Sequence, residues 1–420
     1  MIKKHFYLSL LLLAAALHTS AQQRYLGGDI SLLTKYEQNG ANYMDMQGQK
    51  ITDVLDYLKQ QGMNAMRVRL FVNPANGTDR AACQDLAYVK QLGKHIKDAG
   101  LSLMLDFHYS DTWADPVAQW TPKEWETLTD DQLYTKIYDY TKDCLQQLTA
   151  AGATPDFIQT GNEISYGMLW GKQGSSNLKK CYTSSTANWP RFIKLLQQAG
   201  KACREVCPKA QIVIHTERVE NTGVLTDFYA KMKEVDYDVI GLSYYPYFHG
   251  FLPQLEKALS RLESEFADKQ VMVVEAGFYH KWQTADAKYD YSKARPQSFA
   301  ISHEGQRAFT EALIAQLKQH KSVNGLFWWW PEANEYGLDW KTKRVSEDWY
   351  NAGLFDNETG RALPALYCLK DFLGDLSGIS TVDVPATPAV WHNLQGQQLP
   401  SQPTRPGLYF IGRRKVLKSR

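Results

Sequence analysis

From residue 25 to about 370 one rhythm repeats: an amphipathic stretch closes on a glycine, and a short apolar run follows at once. Val54–Gln61, Gly62 and then Asn64–Phe71 is one instance. Leu86–Ala99, Gly100 and Leu101–His108 is a second, and Gln132–Ala151, Gly152 and Asp156–Gly161 a third. Glycine suits the left-handed residue that stops a helix. The runs are near-continuously apolar, as in Leu101-Ser102-Leu103-Met104-Leu105, which is the pattern of a parallel sheet covered on both faces. Further strands are predicted at Leu26–Ser31, Gln211–Thr216, Val239–Tyr244, Val271–Glu275 and Val323–Trp330, making eight. Helical patterns over Trp189–Val206, Val224–Val235, Gln254–Phe266 and Glu304–His320 separate the later ones. Strand–helix alternation of this length predicts the α/β class, as a (β/α)8 TIM barrel rather than an open sheet.

The two ends differ from this body. Lys3 and Lys4, the apolar run Phe6–Leu17 and Thr19-Ser20-Ala21 form the charged, apolar and small-residue regions of a secretory signal, so residues 1–21 are expected to be removed. The apolar run is too short for a stable anchor, and no later stretch reaches the roughly 18 uncharged apolar residues of a spanning segment. An exported protein is therefore expected, periplasmic, cell-surface or extracellular, with no transmembrane segment. Residues 22–375 would form the barrel. Val384-Pro-Ala-Thr-Pro reads as a linker within a tail of residues 376–420 that alternates around Gln395-Gly396 and Pro406-Gly407. Two or three short strands, a short C-terminal β-rich tail, are predicted there; a disordered basic end is the alternative. Its turns and basic end resemble the C-terminal sorting domains of exported Bacteroidetes proteins.

The net charge of +2 falls to about −6 for residues 22–404 once the two signal lysines and the six tail cations are set aside. Such a body lacks the basic face that nucleic-acid binding requires. Six cysteines in an oxidising compartment permit disulfides, without indicating which pairs form. The C-x3-C at Cys203 and Cys207 has no second pair at zinc spacing.

Active sites of such barrels lie at the C-terminal ends of the strands. Here those ends hold Arg67/Arg69, Asp106/His108, Asn162/Glu163, His215, Tyr244, Glu275 and Trp328–Trp330. Glu163 closes the fourth predicted strand and Glu275 the seventh, each ending an apolar run where a charge in a purely structural role is costly. Strands four and seven lie across the barrel mouth from each other, so both carboxyls can address one substrate atom. Paired carboxyls are what glycosidic hydrolysis needs; a retaining route sets them roughly 5–5.5 Å apart. Asn162, beside Glu163, is placed to meet a sugar 2-hydroxyl. Arg69 is expected to hold Glu275 ionised, whereas Glu163 should sit drier and farther from cations to keep its proton. Tyr244 could bond the strand-seven carboxylate or simply pack. His108 with His215 lacks a third ligand for a zinc site, so no metal is expected. Aromatic platforms for sugar faces are sought among Trp113, Trp120, Trp170 and Trp328–Trp330; strand alternation predicts two of the last three inward, here taken as Trp328 and Trp330.

The string Asp106-Phe-His-Tyr-Ser-Asp-Thr-Trp-Ala-Asp-Pro116 resembles the signature of glycoside hydrolase family 53, the arabinogalactan endo-β-1,4-galactanases. So do Gly27-Gly-Asp-Ile-Ser31, Arg67-Val-Arg-Leu-Phe-Val-Asn-Pro74, Gly161-Asn-Glu-Ile164 and Ser243-Tyr-Tyr-Pro-Tyr247, and the likeness spans about 25–370. The resemblance implies retaining endo-hydrolysis of β-1,4-galactan, with Glu163 as acid/base and Glu275 as nucleophile. His108, Asp111, Trp113, Asp115 and His215 join the expected sugar contacts, the partner being β-galactan and the enzyme a monomer. Departures are Glu275-Ala-Gly-Phe-Tyr after strand seven and the three consecutive tryptophans. Some relatives hold calcium near this point, but Asp286 and Asp290 lack the spacing, so no cofactor is expected. The competing functions are another retaining β-glycanase of the clan, on mannan or glucan, and a glycan-binding barrel without catalysis.

Overall fold

The structure, a computed structural model, describes residues 23–283 and 290–374, together with the strand residues 391–392, 398–399, 407–411 and 414–418. The expected signal and its cleavage point, the linker at 384–388, and Asp286 of the segment after strand seven lie outside the described residues.

Eight parallel strands close into a barrel in sequence order: β1 (Tyr25–Asp29), β2 (Ala65–Leu70), β3 (Ser102–Phe107), β4 (Phe157–Thr160), β5 (Gln211–Thr216), β6 (Val239–Tyr244), β7 (Gln270–Ala276) and β8 (Val323–Trp329). Pairing of Tyr25–Asp29 with Gly325–Trp329 joins the last strand to the first. The intervening helices are α1 (Leu33–Asn39) and α2 (Val54–Gln60), then α3 (Leu86–Asp98), α4 (Asp130–Ala150), α5 (Trp189–Val206), α6 (Thr222–Ala230), α7 (Leu252–Glu265), α8 (His303–Leu317) and α9 (Pro364–Cys368). The short α1 and α9 carry too little periodicity to be read from the chain. Gly62, Gly100 and Gly152, the expected stops, have φ of 102°, 73° and 80°. Helix starts follow side-chain chemistry too: Asp85 accepts from the Tyr88 N–H before α3, and Thr129 and Gln132 cap α4 reciprocally.

Strand alternation sorts the barrel interior into two layers. A lower apolar plug comprises Ala65, Met104, Phe157, Val213, Val239, Met272, Val274 and Phe327. Two residues further along the strands the same face carries Arg67, Asp106, Gln159, His215 and Trp329, all buried. The plug admits no side chain at Gly27, where a Cβ would stand 1.8 Å from the Ala65 carbonyl oxygen. All six cysteines are free thiols.

Residues from Asp375 onward form a separate unit. Its strands β9 (Trp391–His392), β10 (Gln398–Leu399), β11 (Gly407–Ile411) and β12 (Arg414–Lys418) make an antiparallel sheet in the order β10-β9-β11-β12. That is one or two strands more than expected, because two-residue strands leave no alternation to detect.

Candidate active site

A cleft of about 1320 Å³ opens at the C-terminal ends of the strands, and Glu163 and Glu275 both line it. Their surroundings differ. Glu275 sits under Arg67, whose Nη2 is 2.9 Å from its Oε1, an ion pair without hydrogen-bond alignment. The Tyr245 hydroxyl donates to the other oxygen, Oε2, at 2.9 Å. Burial pushes the Glu275 carboxyl up to about 7, with Arg67 and Tyr245 pulling the other way. Glu163 has the Ser243 hydroxyl as its one stabilising partner and no arginine among the described residues. Burial raises its carboxyl well above the usual range, and the charges of Glu275 and Glu217 raise it further. Of the two, Glu163 is the group that keeps its proton and Glu275 the one that gives it up.

Backbone geometry aims both groups. Met272 and Val274 face the plug, so strict alternation would turn Glu275 outward. The pairing of β6 with β7 slips between Leu242 and Ser243, placing Glu275 opposite Ser243 and turning it into the mouth. Glu163 lies three residues beyond β4 with φ of 48°, a left-handed conformation that a glutamate adopts only under constraint. The constraint is visible: its N–H meets His215 Nδ1 at 3.3 Å, and Gln119 Nε2 donates to the Asn162 and Glu163 carbonyls at 2.7 and 3.3 Å. With Nδ1 accepting, the His215 proton belongs on Nε2, where it meets Ser243 Oγ at 2.8 Å. Burial, then Arg67, holds this imidazole neutral.

Beneath the carboxyls runs a buried charge network. Arg67 pairs with Asp29 at 2.7 Å and with Asp106 at 2.8 Å, and also donates to Asn162 Oδ1 at 2.8 Å. Gln159 donates to Asp106 at 2.6 Å. Charges this deep persist only when mutually satisfied.

Several sequence expectations are corrected by this arrangement. Arg69 does not hold Glu275; Arg67 does. Arg69 is also inward but one layer higher, paired with Asp29 and covered by Trp113, Trp329 and Trp330, whose rings lie 4.8, 5.0 and 5.4 Å from its guanidinium carbon. Tyr244 faces outward, bonding the Gly250 carbonyl at 3.2 Å, and its neighbour Tyr245 takes the role expected of it. Trp328 also points outward, to the Ala352 carbonyl, leaving Trp329 and Trp330 in the cleft. Alternation failed at Trp330 because its φ of 50° ends the strand and turns the indole to stack on Trp329, centroids 5.0 Å apart.

His108 and Asp111 are not part of the cleft wall. His108 Nδ1 accepts from the Ala114 N–H at 3.0 Å, and its Nε2 lies 3.1 Å from Asp106. Asp111 ties loops together by accepting from the Asn73 N–H, Asn76 Nδ2 and the Lys123 N–H. His215 likewise supports the wall without lining it. Trp120 and Trp170 pack edge to face on each other away from the cleft. Trp113, Asp115 and Asn162 do line it. Asn162 is fixed by Arg67 and by donating to the Ala114 carbonyl at 2.8 Å, which leaves one N–H free of that bond. Gln159, Glu217 and the facing aromatic wall of Tyr245, Phe248 and Trp349 were missed. Gln159 alone left a trace, as a polar residue inside an apolar strand.

An acid-paired cleft at the strand ends of a (β/α)8 barrel defines a glycoside hydrolase, and comparison with known proteins agrees. The chain belongs to glycosyl hydrolase family 53, whose sequence profile matches residues 25–369. An arabinogalactan endo-beta-1,4-galactanase of Cellvibrio japonicus is 33% identical over 88% of this chain and 97% of its own. The family 53 catalytic domain of Ignisphaera aggregans superposes with a TM-score of 0.74, at 31% identity, covering 84% of this chain and 97% of that one. A fungal beta-1,4-galactanase superposes at 0.66 with 28% identity, over 83% and 99% of the two chains.

Proposed function

We propose that this protein hydrolyses internal β-1,4 linkages of galactan with net retention, Glu275 as nucleophile and Glu163 as acid/base. The observation that carries the roles is the contrast in company: Arg67 and Tyr245 at Glu275, against the negative charges of Glu275, Glu217 and Asp115 and a single Ser243 hydroxyl at Glu163. In the first step a Glu275 oxygen bonds the anomeric carbon as the bond to the leaving oxygen breaks, and Glu163 gives that oxygen its proton. In the second, Glu163 takes a proton from water, whose oxygen bonds the anomeric carbon and releases Glu275. Tyr245 and Arg67 accompany the nucleophile through both steps, and the remaining Asn162 N–H is available to a sugar 2-hydroxyl.

Galactan as substrate rests on the family and on relatives bearing that activity in their names. The cleft supports a chain substrate: it exceeds the roughly 300–1,000 Å³ of pockets for small molecules. Trp113, Trp329 and Trp330 form one aromatic cluster lining it, and Tyr245, Phe248 and Trp349 another. The reaction is placed outside the cytoplasm, on the strength of the N-terminal charged, apolar and small-residue pattern. Incubation with potato galactan, mannan and cellulose should release a ladder of galactose oligomers from the first alone. Absence of oligomers from galactan, or faster release from mannan or cellulose, would overturn the substrate assignment.

A further inference from the structure

Behind the aromatic wall, away from the two glutamates, three segments bring together His280, His303 and Asp356. His280 lies four residues past β7, His303 opens α8, and Asp356 sits in the long segment between β8 and α9. One ligand atom of each lies within 4.8 Å of those of the other two. His303 Nε2 is 3.2 Å from Asp356 Oδ2, and the two imidazoles stand 5.2 Å apart, edge to face. His280 is only 3% exposed, yet neither of its ring nitrogens has a hydrogen-bond partner among the described residues. A buried imidazole with both nitrogens unspent is an uncompensated loss of hydration, and His303 and Asp356 each bring a ligand atom close to it.

We propose that His280, His303 and Asp356 bind a divalent transition-metal ion, zinc by the character of the donors, with water completing the tetrahedron. Two imidazole nitrogens and one carboxylate oxygen are a zinc set, whereas calcium takes six to eight oxygens. Its donors are nitrogen-rich and distant in sequence, so no linear calcium-type spacing accompanies them. The carboxylate is already oriented, since Asp356 Oδ1 accepts from the Glu358 and Thr359 N–H groups at 3.0 and 2.8 Å and from the Thr359 hydroxyl. His303 is about half exposed at its side chain and provides the way in. Its place at the start of α8 sets the helix dipole against a cation; Asp356, with the Lys281–Glu358 ion pair alongside, leaves the local charge in the metal's favour.

The ion would brace the cleft from behind. The His280 N–H bonds the Asn351 carbonyl at 3.0 Å, and adjacent Tyr279 stacks on Trp349, centroids 5.2 Å apart, which itself lines the cleft. The test uses full-length protein without a histidine tag, stripped by chelator and titrated with zinc sulfate. One zinc per chain and a rise in melting temperature are expected, as is visible absorption when Co²⁺ replaces zinc. His303→Ala and Asp356→Asn, both at partly exposed positions, should melt like the wild type without metal and lose the zinc-induced rise and the cobalt absorption. His280→Gln, which keeps the buried volume, should lose them as well. Failure of the wild type to bind one equivalent, or a zinc-induced rise that survives in His303→Ala and Asp356→Asn, would overturn the proposal.

Discussion

Tyr245 and Arg67 share the task of keeping Glu275 charged, and each can be weakened separately. Tyr245→Phe removes a donor to the carboxylate while leaving the ring in place. A hydrogen bond to a charged group contributes about 1.5–3 kcal/mol, or roughly one to two units of pKa. The Glu275 carboxyl should therefore rise from about 7, moving the acid limb of kcat/KM to higher pH by about a unit and lowering kcat. An unmoved acid limb would contradict the assignment of Tyr245 to Glu275. Glu163 allows a test through stability. Its folded pKa stands above the ordinary 4.5, so the folded state retains a proton that the unfolded chain releases. The stability this confers is complete below about 4.5 and is lost as pH climbs through the raised value. Glu163→Gln, which never ionises, should melt progressively above the wild type between about pH 5 and pH 8. A constant offset over that range would show that Glu163 is not raised.

Strand alternation made most of the mouth legible and also set the limits of legibility. Arg67 and Arg69 lie on one face, as period two requires, but only depth along β2 decides which reaches Glu275, and depth is a property of the closed barrel. Glu275 reaches the cleft because β7 departs from regular pairing, and Trp330 because the chain leaves β8 in a left-handed turn. No residue pattern announces either departure. His108 and Asp111 sit in the string most characteristic of the family, yet they fasten loops: a motif marks which residues matter without saying which of them meet the substrate. Close packing at the barrel centre is testable at Gly27. A Cβ there would also lie 3.2 Å from Phe327, besides overlapping the Ala65 carbonyl. Gly27→Ala should cost roughly 1–3 kcal/mol or more, seen as a lower urea midpoint with an unchanged slope. A midpoint equal to the wild type would mean that β1 and β2 do not approach as described.

At the scale of the molecule, the alternation of helical pattern and apolar run was enough to establish the barrel, because eight strands so spaced leave few alternatives. What closure brings together was less accessible: the three tryptophans over Arg69, and the Asp29–Arg67–Asp106 network, join strands far apart in sequence. The proposed mechanism requires the barrel to hold two carboxyls in one cleft with opposite protonation. That claim is tested most directly by covalent trapping. A 2-deoxy-2-fluoro-β-galactobioside with a good leaving group should glycosylate one residue as its aglycone departs and then turn over slowly, and peptide mass spectrometry locates the label. A label on Glu275, with Glu163 unmodified, is the expected result. A label on Glu163, or rapid hydrolysis of the reagent with inversion and no covalent species, would contradict the account.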